Sequence, residues 1–328
     1  MSMQKRFWAI LASLVLAASW AAPAGAQSAG AYPNRPVKIV VPFPPGGATD
    51  IIARVIGQKI SEQMGQAVII ENKAGANGNI ASEFVAKAPP DGYTLIYNTS
   101  SVALSPALYK KLNFDVRTDF APVILTSAVP LLLTVNPSVP ADNIKEFIEL
   151  LRAKPNALSY GSAGIGNITH LGSFLFLQSQ NLVATHVPYK GSGPSVVATV
   201  AGEIQFNMEP LAVGLSYVKD KRIKALAVTS LKRVSVLPDV PTMSESVMSG
   251  FEVGTWQGIM APAKTPAEIV NRLNAEVMKA LAAPDVRDKL QAQGAEILGS
   301  TPEQYAAYLK SEVERWSKVV KSSGVQFD

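Results

Sequence analysis

Val40-Val41-Pro42-Phe43-Pro44-Pro45-Gly46-Gly47-Ala48-Thr49-Asp50 joins an apolar, β-branched run, Val37 to Val41, to a segment whose Ile51, Ile52, Val55, Ile56 and Ile60 share one helical face. A strand hands over directly to a helix. Gly46 and Gly47 lack Cβ atoms, so the backbone can turn sharply and a ligand can approach the first N–H groups of that helix, which have no intrahelical acceptor. Such donors favour a carboxylate or a phosphate. A plain strand-to-helix turn is the competing reading, because Pro-Gly-Gly is also ordinary loop punctuation.

The same rhythm continues outward. Ala67 to Glu71 reads as a strand, Lys73 to Gly78 as a loop, and a helix opens at about Asn79. Pro89 to Tyr93 has turn chemistry, followed by the strand Thr94 to Tyr97 and the polar tip Asn98-Thr99-Ser100-Ser101, placed where α/β sheets bind ligands. Phe120 to Val135 reads as two consecutive strands broken at Pro130, and as the first crossover between domains or the edge hairpin of one. A helix from Asp142 to Lys154 and a strand from Ala157 to Tyr160 lead to Gly161-Ser162-Ala163-Gly164-Ile165-Gly166-Asn167, a second glycine-rich strand-to-helix loop. Strands Ala184 to Val187, Ile204 to Met208 and Lys224 to Thr229 follow, and the proline-rich Leu237 to Thr242 reads as the return crossover. The remainder reads as mostly helical. Thr265-Pro266-Ala267-Glu268 and Thr301-Pro302-Glu303-Gln304 both match a capping box with proline at the first helical position.

Bulk composition narrows the function classes. The 328 residues are 48% hydrophobic and 17% charged, enough for two globular domains. Residues 1–26 read as a secretory signal peptide: Lys5 and Arg6, an apolar core from Phe7 to Trp20, and the small-residue site Ala24-Gly25-Ala26. Its removal leaves 28 basic against 25 acidic residues, a net charge of +3. The absence of cysteine excludes disulfides, thiol catalysis and thiolate metal sites, and two histidines are too few for the common catalytic zinc sites. No metal or cofactor is expected. The basic residues are scattered, so no nucleic-acid partner is expected either.

Two glycine loops in two α/β halves can face one another across a cleft and hold a small dianion by backbone N–H groups, with Ser162, Thr169 and Thr99 adding directed hydrogen bonds. Gly164-Ile165-Gly166 lacks the third glycine of a dinucleotide fingerprint, since Thr169 stands there, and Tyr160 stands where a nucleophile elbow needs glycine. Neither His170 nor His186 has a recognisable catalytic partner, so the chain does not read as an enzyme. His170 suits either a ligand carboxylate or local packing, whereas His186 reads as structural. Glu209, at a strand end near the cleft, repels a dianion unless it is paired, and is equally suited to accept from a ligand hydroxyl or ammonium.

The order of motifs resembles the Bug family of extracytoplasmic solute receptors, which serve tripartite tricarboxylate transporters. The resemblance covers nearly all of the chain after residue 26. It rests on Phe43-Pro44-Pro45-Gly46-Gly47 with Asp50, Asn72 with Gly75 and Gly78, Pro90 to Leu95, and Asp119 to Val123. It continues through Tyr160 to Asn167 with His170-Leu171, His186 to Gly191, and Leu237 to Thr242. The resemblance implies an α/β, two-lobed periplasmic binding protein fold (type II) with the ligand cleft between two α/β domains. It implies no catalysis. The expected domains are 31–126 with 230–328, and 127–229. By residue it places Phe43, Gly46, Gly47, Ala48 and Asp50 in the first binding loop, Ser162, Gly164, Asn167, Thr169 and His170 in the second, and Thr99 and Ser100 between them. Glu209 stands where many relatives carry aspartate. The expected protein is a periplasmic, monomeric receptor that delivers a small carboxylate solute to membrane permease subunits; a receptor that signals to a membrane sensor is the alternative.

Overall fold

The computed structural model describes residues 32–328, and the expected signal peptide lies outside the described residues. One compact unit spans Arg35–Asp328. In chain order its elements are β1 (Val37–Val41), α1 (Ala48–Met64), β2 (Val68–Asn72), α2 (Asn79–Ala86), β3 (Thr94–Thr99), α3 (Ser101–Leu108) and β4 (Phe120–Val135). Next come α4 (Ile144–Ala153), β5 (Ser159–Ser162), α5 (Ile168–Ser179), β6 (Thr185–Pro188), α6 (Ser192–Ala201), β7 (Phe206–Pro210), α7 (Leu211–Lys219) and β8 (Lys224–Val228). The chain closes with α8 (Met243–Ser246), β9 (Gly254–Pro262), α9 (Ala267–Ala282), α10 (Pro284–Ala292), β10 (Glu296–Ile297) and α11 (Pro302–Ser323).

The strands run in the order β2-β1-β3-β9-β4-β7-β5-β6, with β8 and β10 also paired to β4. β1 lies parallel between β2 and β3, as helical crossovers require. β5 likewise lies parallel between β6 and β7. Between these groups β4 is the shared strand. Its first part, Phe120–Pro130, pairs antiparallel with β9, and its last part, Leu131–Val135, with β7 and β8.

Three expectations are corrected. Phe120 to Val135 is one strand rather than two, and Pro130 stays in it where the pairing changes from β9 to β7, at the end of a ladder where a missing N–H costs little. β9 lies in a region read as helical, and α7 follows β7 without a turn. Of the two capping boxes only that of Thr301 and Gln304 forms; Thr265 Oγ1 donates instead to the Pro262 carbonyl at 2.7 Å.

Two hydrophobic cores form on this frame. One gathers Val40, Ile96, Met260 and Trp256 with Tyr305, Leu309 and Val313 of α11. The other gathers Leu133, Phe147, Tyr160, Phe176 and Phe206 with Trp316, Val319 and Val320 of the same helix. The apolar face of α11 thus serves both cores in succession along its length.

Candidate functional site

The first glycine loop is tied to its own helix. Gly46 adopts φ 84, a left-handed conformation that glycine takes without steric cost. Its N–H donates to Asp50 Oδ2 at 2.9 Å. The buried Asp50 carboxylate also accepts from Asn72 Nδ2 at 2.8 Å and Arg54 Nε at 3.0 Å. Burial pushes its pKa up, but the Arg54, Gly46 and Asn72 hydrogen bonds outweigh that and hold it below the usual carboxylate value. Asp50 therefore shapes the loop, and Gly46 spends its donor internally. α1 itself starts at Gly47 without a side-chain cap, leaving its first-turn N–H groups to face whatever the loop meets.

The second glycine loop is stitched more tightly. Asn167 Oδ1 caps α5 by accepting from the Thr169 N–H at 3.1 Å and the Thr169 hydroxyl at 3.2 Å. Thr169 Oγ1 accepts the Ala163 N–H at 2.8 Å, Ser162 Oγ accepts the Gly164 N–H at 3.2 Å, and His170 Nδ1 accepts the Gly166 N–H at 3.2 Å. The directed hydrogen bonds to a ligand expected of Ser162 and Thr169 do not form a free set: these side chains are consumed in fixing the loop.

A cavity of about 880 Å³ opens on both loops. Phe43, Gly46, Gly47, Ala48, Thr99, Gly164 and Asn167 line it, whereas Asp50, Ser100, Ser162, Thr169, His170 and Glu209 do not. Besides α3, whose Ser101 ends the expected polar tip of β3, the starts of α6 and α7 reach it, and neither was legible as a site. α6 begins after Gly191, at φ 114, with no side-chain cap, and presents Ser192 and Gly193; α7 begins after Pro210, also uncapped, and presents Ala212 and Val213. Three uncapped helix N-termini thus open on one space. Lys190 is the one charged lining residue, no acidic side chain lines the cavity among the described residues, and Ile51, Ile165, Val129 and Tyr109 make apolar walls. Asn77 and Gln257, also missed by sequence reasoning, bring orphan polar atoms: Asn77 Nδ2 and Gln257 Oε1 are buried without a protein partner. Asn77 lay in a glycine loop already singled out, while Gln257 sits in the unforeseen β9.

Behind the second loop, His170 and His186 stack at 4.0 Å, and Tyr160 stacks on His186 at 4.9 Å. His186 Nε2 shares a 2.7 Å hydrogen bond with Ser162 Oγ, a pairing the sequence did not disclose. Ser162 is fully buried, and burial lowers both histidine pKa values to about 4, so the imidazoles are neutral near pH 7 and weak as bases. Glu209 is only 1% exposed, and neither carboxylate oxygen has a hydrogen-bond partner. Burial pushes its pKa up to about 8, although the Ser192 and Ser195 hydroxyls stand close enough to offset part of that rise. The repulsion expected of a charged Glu209 is therefore weakened at neutral pH, where the buried carboxyl is mostly the neutral acid.

The geometry can hold an anion with an apolar body. Comparisons agree with it. The sequence matches, over residues 52–325, the family described as "Tripartite tricarboxylate transporter family receptor". Protein BugT of Bordetella pertussis is 34% identical over 323 residues, 98% of this chain and 98% of BugT. R. palustris Rpa4515, solved with adipate, superposes with a TM-score of 0.82 at 37% identity, covering 90% of this chain and 99% of that one. MatC from Rhodopseudomonas palustris, solved with bound malate, gives 0.78 at 35% identity over 88% of this chain and 100% of that one. The architecture is the mixed α/β periplasmic binding protein fold of these solute-binding proteins.

Proposed function

Because the chain belongs to the tripartite tricarboxylate transporter receptor family, with the Bug proteins among its relatives, we propose that it captures a small carboxylate-bearing solute in the periplasm and delivers it to membrane permease subunits. One observation carries this reading: three uncapped helix N-termini and Lys190 converge on a cavity whose described lining has no acidic side chain. Aligned backbone dipoles and free N–H groups stabilise an anion there, and a desolvated anion finds no competing carboxylate.

In this reading Gly47, Ala48, Ser192 and Gly193 supply backbone donors, while Thr99, Gly164 and Asn167 complete the wall. Phe43 and Ile165 cover the hydrocarbon part of the solute. Asp50, Ser162, Thr169 and His170 act by holding the loops, and Ser100 by supporting the tip of β3. The two lobes are those expected from the sequence, except that residues 127–130 stay with the first lobe through their pairing with β9; the lobes close by bending where β4 changes partners. The receptor works as a monomer after removal of residues 1–26, without cofactor or catalysis.

A thermal-shift screen of residues 27–328 against mono-, di- and tricarboxylates, aromatic acids and amino acids tests this. A solute at 100 times its dissociation constant adds about 2.7 kcal/mol of stability. A raised midpoint with acids supports the reading, and a flat response to every acid by folded protein removes it.

A further inference from the structure

Glu209 sits at the end of β7, one residue before the cavity-lining Pro210, and beside the first turn of α6, whose Ser192 also lines the cavity. Its surroundings offer no counter-charge. β4, which places Leu132 opposite Glu209, and α6 carry no ionisable side chain; β5 carries only Tyr160, stacked on His186, and α5, packed on β7, carries only His170, an imidazole that burial keeps neutral. α7 carries Tyr217 and Lys219 at its far end, and Lys190 belongs to the cavity wall. The groups that act on the carboxyl are the Ser192 and Ser195 hydroxyls. Ser195 Oγ and Asn207 Nδ2 are themselves buried without partners, so the polar pocket behind the helix terminus is unsatisfied on several sides.

We propose that Glu209, buried without a hydrogen-bond partner behind the Ser192 helix terminus, makes the site select carboxylates that lack an ammonium group and ties their capture to its own proton. This rests on the function proposed above. An ionised Glu209 places a negative charge behind the donors that meet the ligand, and in that poorly solvated setting like charges disfavour one another strongly. A protonated Glu209 removes the repulsion and orients the Ser192 hydroxyl toward the cavity. An ammonium group, by contrast, enters a space with no acidic wall and leaves its charge unpaired. Glu209 is thus a positioning residue that acts through Ser192. Its burial-raised pKa of about 8 puts the switch within reach of titration.

The test is calorimetric titration of residues 27–328 with succinate, glutarate and adipate and with their 2-amino counterparts aspartate, glutamate and 2-aminoadipate, between pH 6 and pH 9.5. At pH 7 the amino counterparts are expected to bind at least about tenfold more weakly than the plain acids. From pH 7 to 9.5 the dissociation constant of the plain acid is expected to rise at least about tenfold, with close to one proton taken up per ligand near the upper end. Glu209→Gln is expected to flatten that profile, and proton uptake by the unaltered protein keeps the test decisive should the variant fail to fold. A flat profile without proton uptake, or equal binding of the amino counterparts, overturns the proposal while leaving carboxylate capture intact. Binding of none of the six acids at any pH overturns both.

Discussion

Trp256 and Trp316, one from each hydrophobic core, donate their indole N–H groups to the same carboxylate oxygen of Glu312, at 2.9 and 3.0 Å. All three side chains are buried, so this carboxylate is the polar tie between the cores along α11. Glu312→Ala leaves two indole donors unsatisfied, each costing about 1–3 kcal/mol. The expected loss is about 2–6 kcal/mol by denaturant unfolding, with ligand affinity per folded molecule little changed. An unfolding midpoint equal to that of the parent contradicts the tie.

Asp50 belongs to the loop rather than to the ligand. Asp50→Ala frees the Gly46 N–H, Asn72 and Arg54 together, so stability and affinity are expected to fall together, stability by about 1–3 kcal/mol. Calorimetry and thermal melting on one preparation check this. A loss of affinity with no loss of stability assigns Asp50 to direct ligand contact instead.

Lys190 is exposed at the cavity rim and acts through solvent, which limits its contribution. Lys190→Ala is expected to weaken acid binding about two- to fivefold at low salt, with the difference shrinking at high salt. Titrations at low and high salt check it. A salt-independent difference points to a direct hydrogen bond.

The stacked histidines make stability depend on pH. Both have folded pKa values near 4 against 6.5 for the free side chain, so below 6.5 the unfolded chain binds protons that the folded one refuses. Their stabilisation is full above pH 6.5 and is lost as pH falls toward 4. Glu209 works the other way: with its pKa raised to about 8, stability drops as pH climbs from about 4.5 to 8 and levels off above. Thermal melts from pH 4 to 9 are expected to show both limbs, with the acid limb reduced in His186→Gln and the alkaline limb absent in Glu209→Gln. An acid limb unaltered by His186→Gln contradicts the assignment.

Much of this was legible in the chain. The strand-glycine-helix passage at Val40 to Asp50 is local, and the structure reproduces it as β1, the loop and α1. What escaped depends on long-range pairing. β9 earns its place by pairing with β3 and β4, which no window of sequence displays, and Gln257 was lost with it. The fates of Asn167, Thr169 and His170 were equally hidden: sequence shows which side chains can bond a ligand, and only geometry shows that the loop uses them first. The openings at Ser192 and Pro210 were hidden as well, because only the geometry shows that no side chain caps those helix starts and that both face one cavity.

The most direct measurement is the calorimetric affinity of Gly47→Val beside the parent for whichever acid the screen yields. Gly47 has an ordinary φ of −78, and a Cβ there meets nothing nearer than the Pro44 carbonyl oxygen at 3.9 Å, so the fold accommodates the side chain while its bulk enters the cavity. The account predicts an unchanged melting midpoint for the ligand-free protein and an affinity loss of at least about tenfold, roughly 1.4 kcal/mol. Binding as tight as the parent's contradicts the placement of the anion on the first helix terminus.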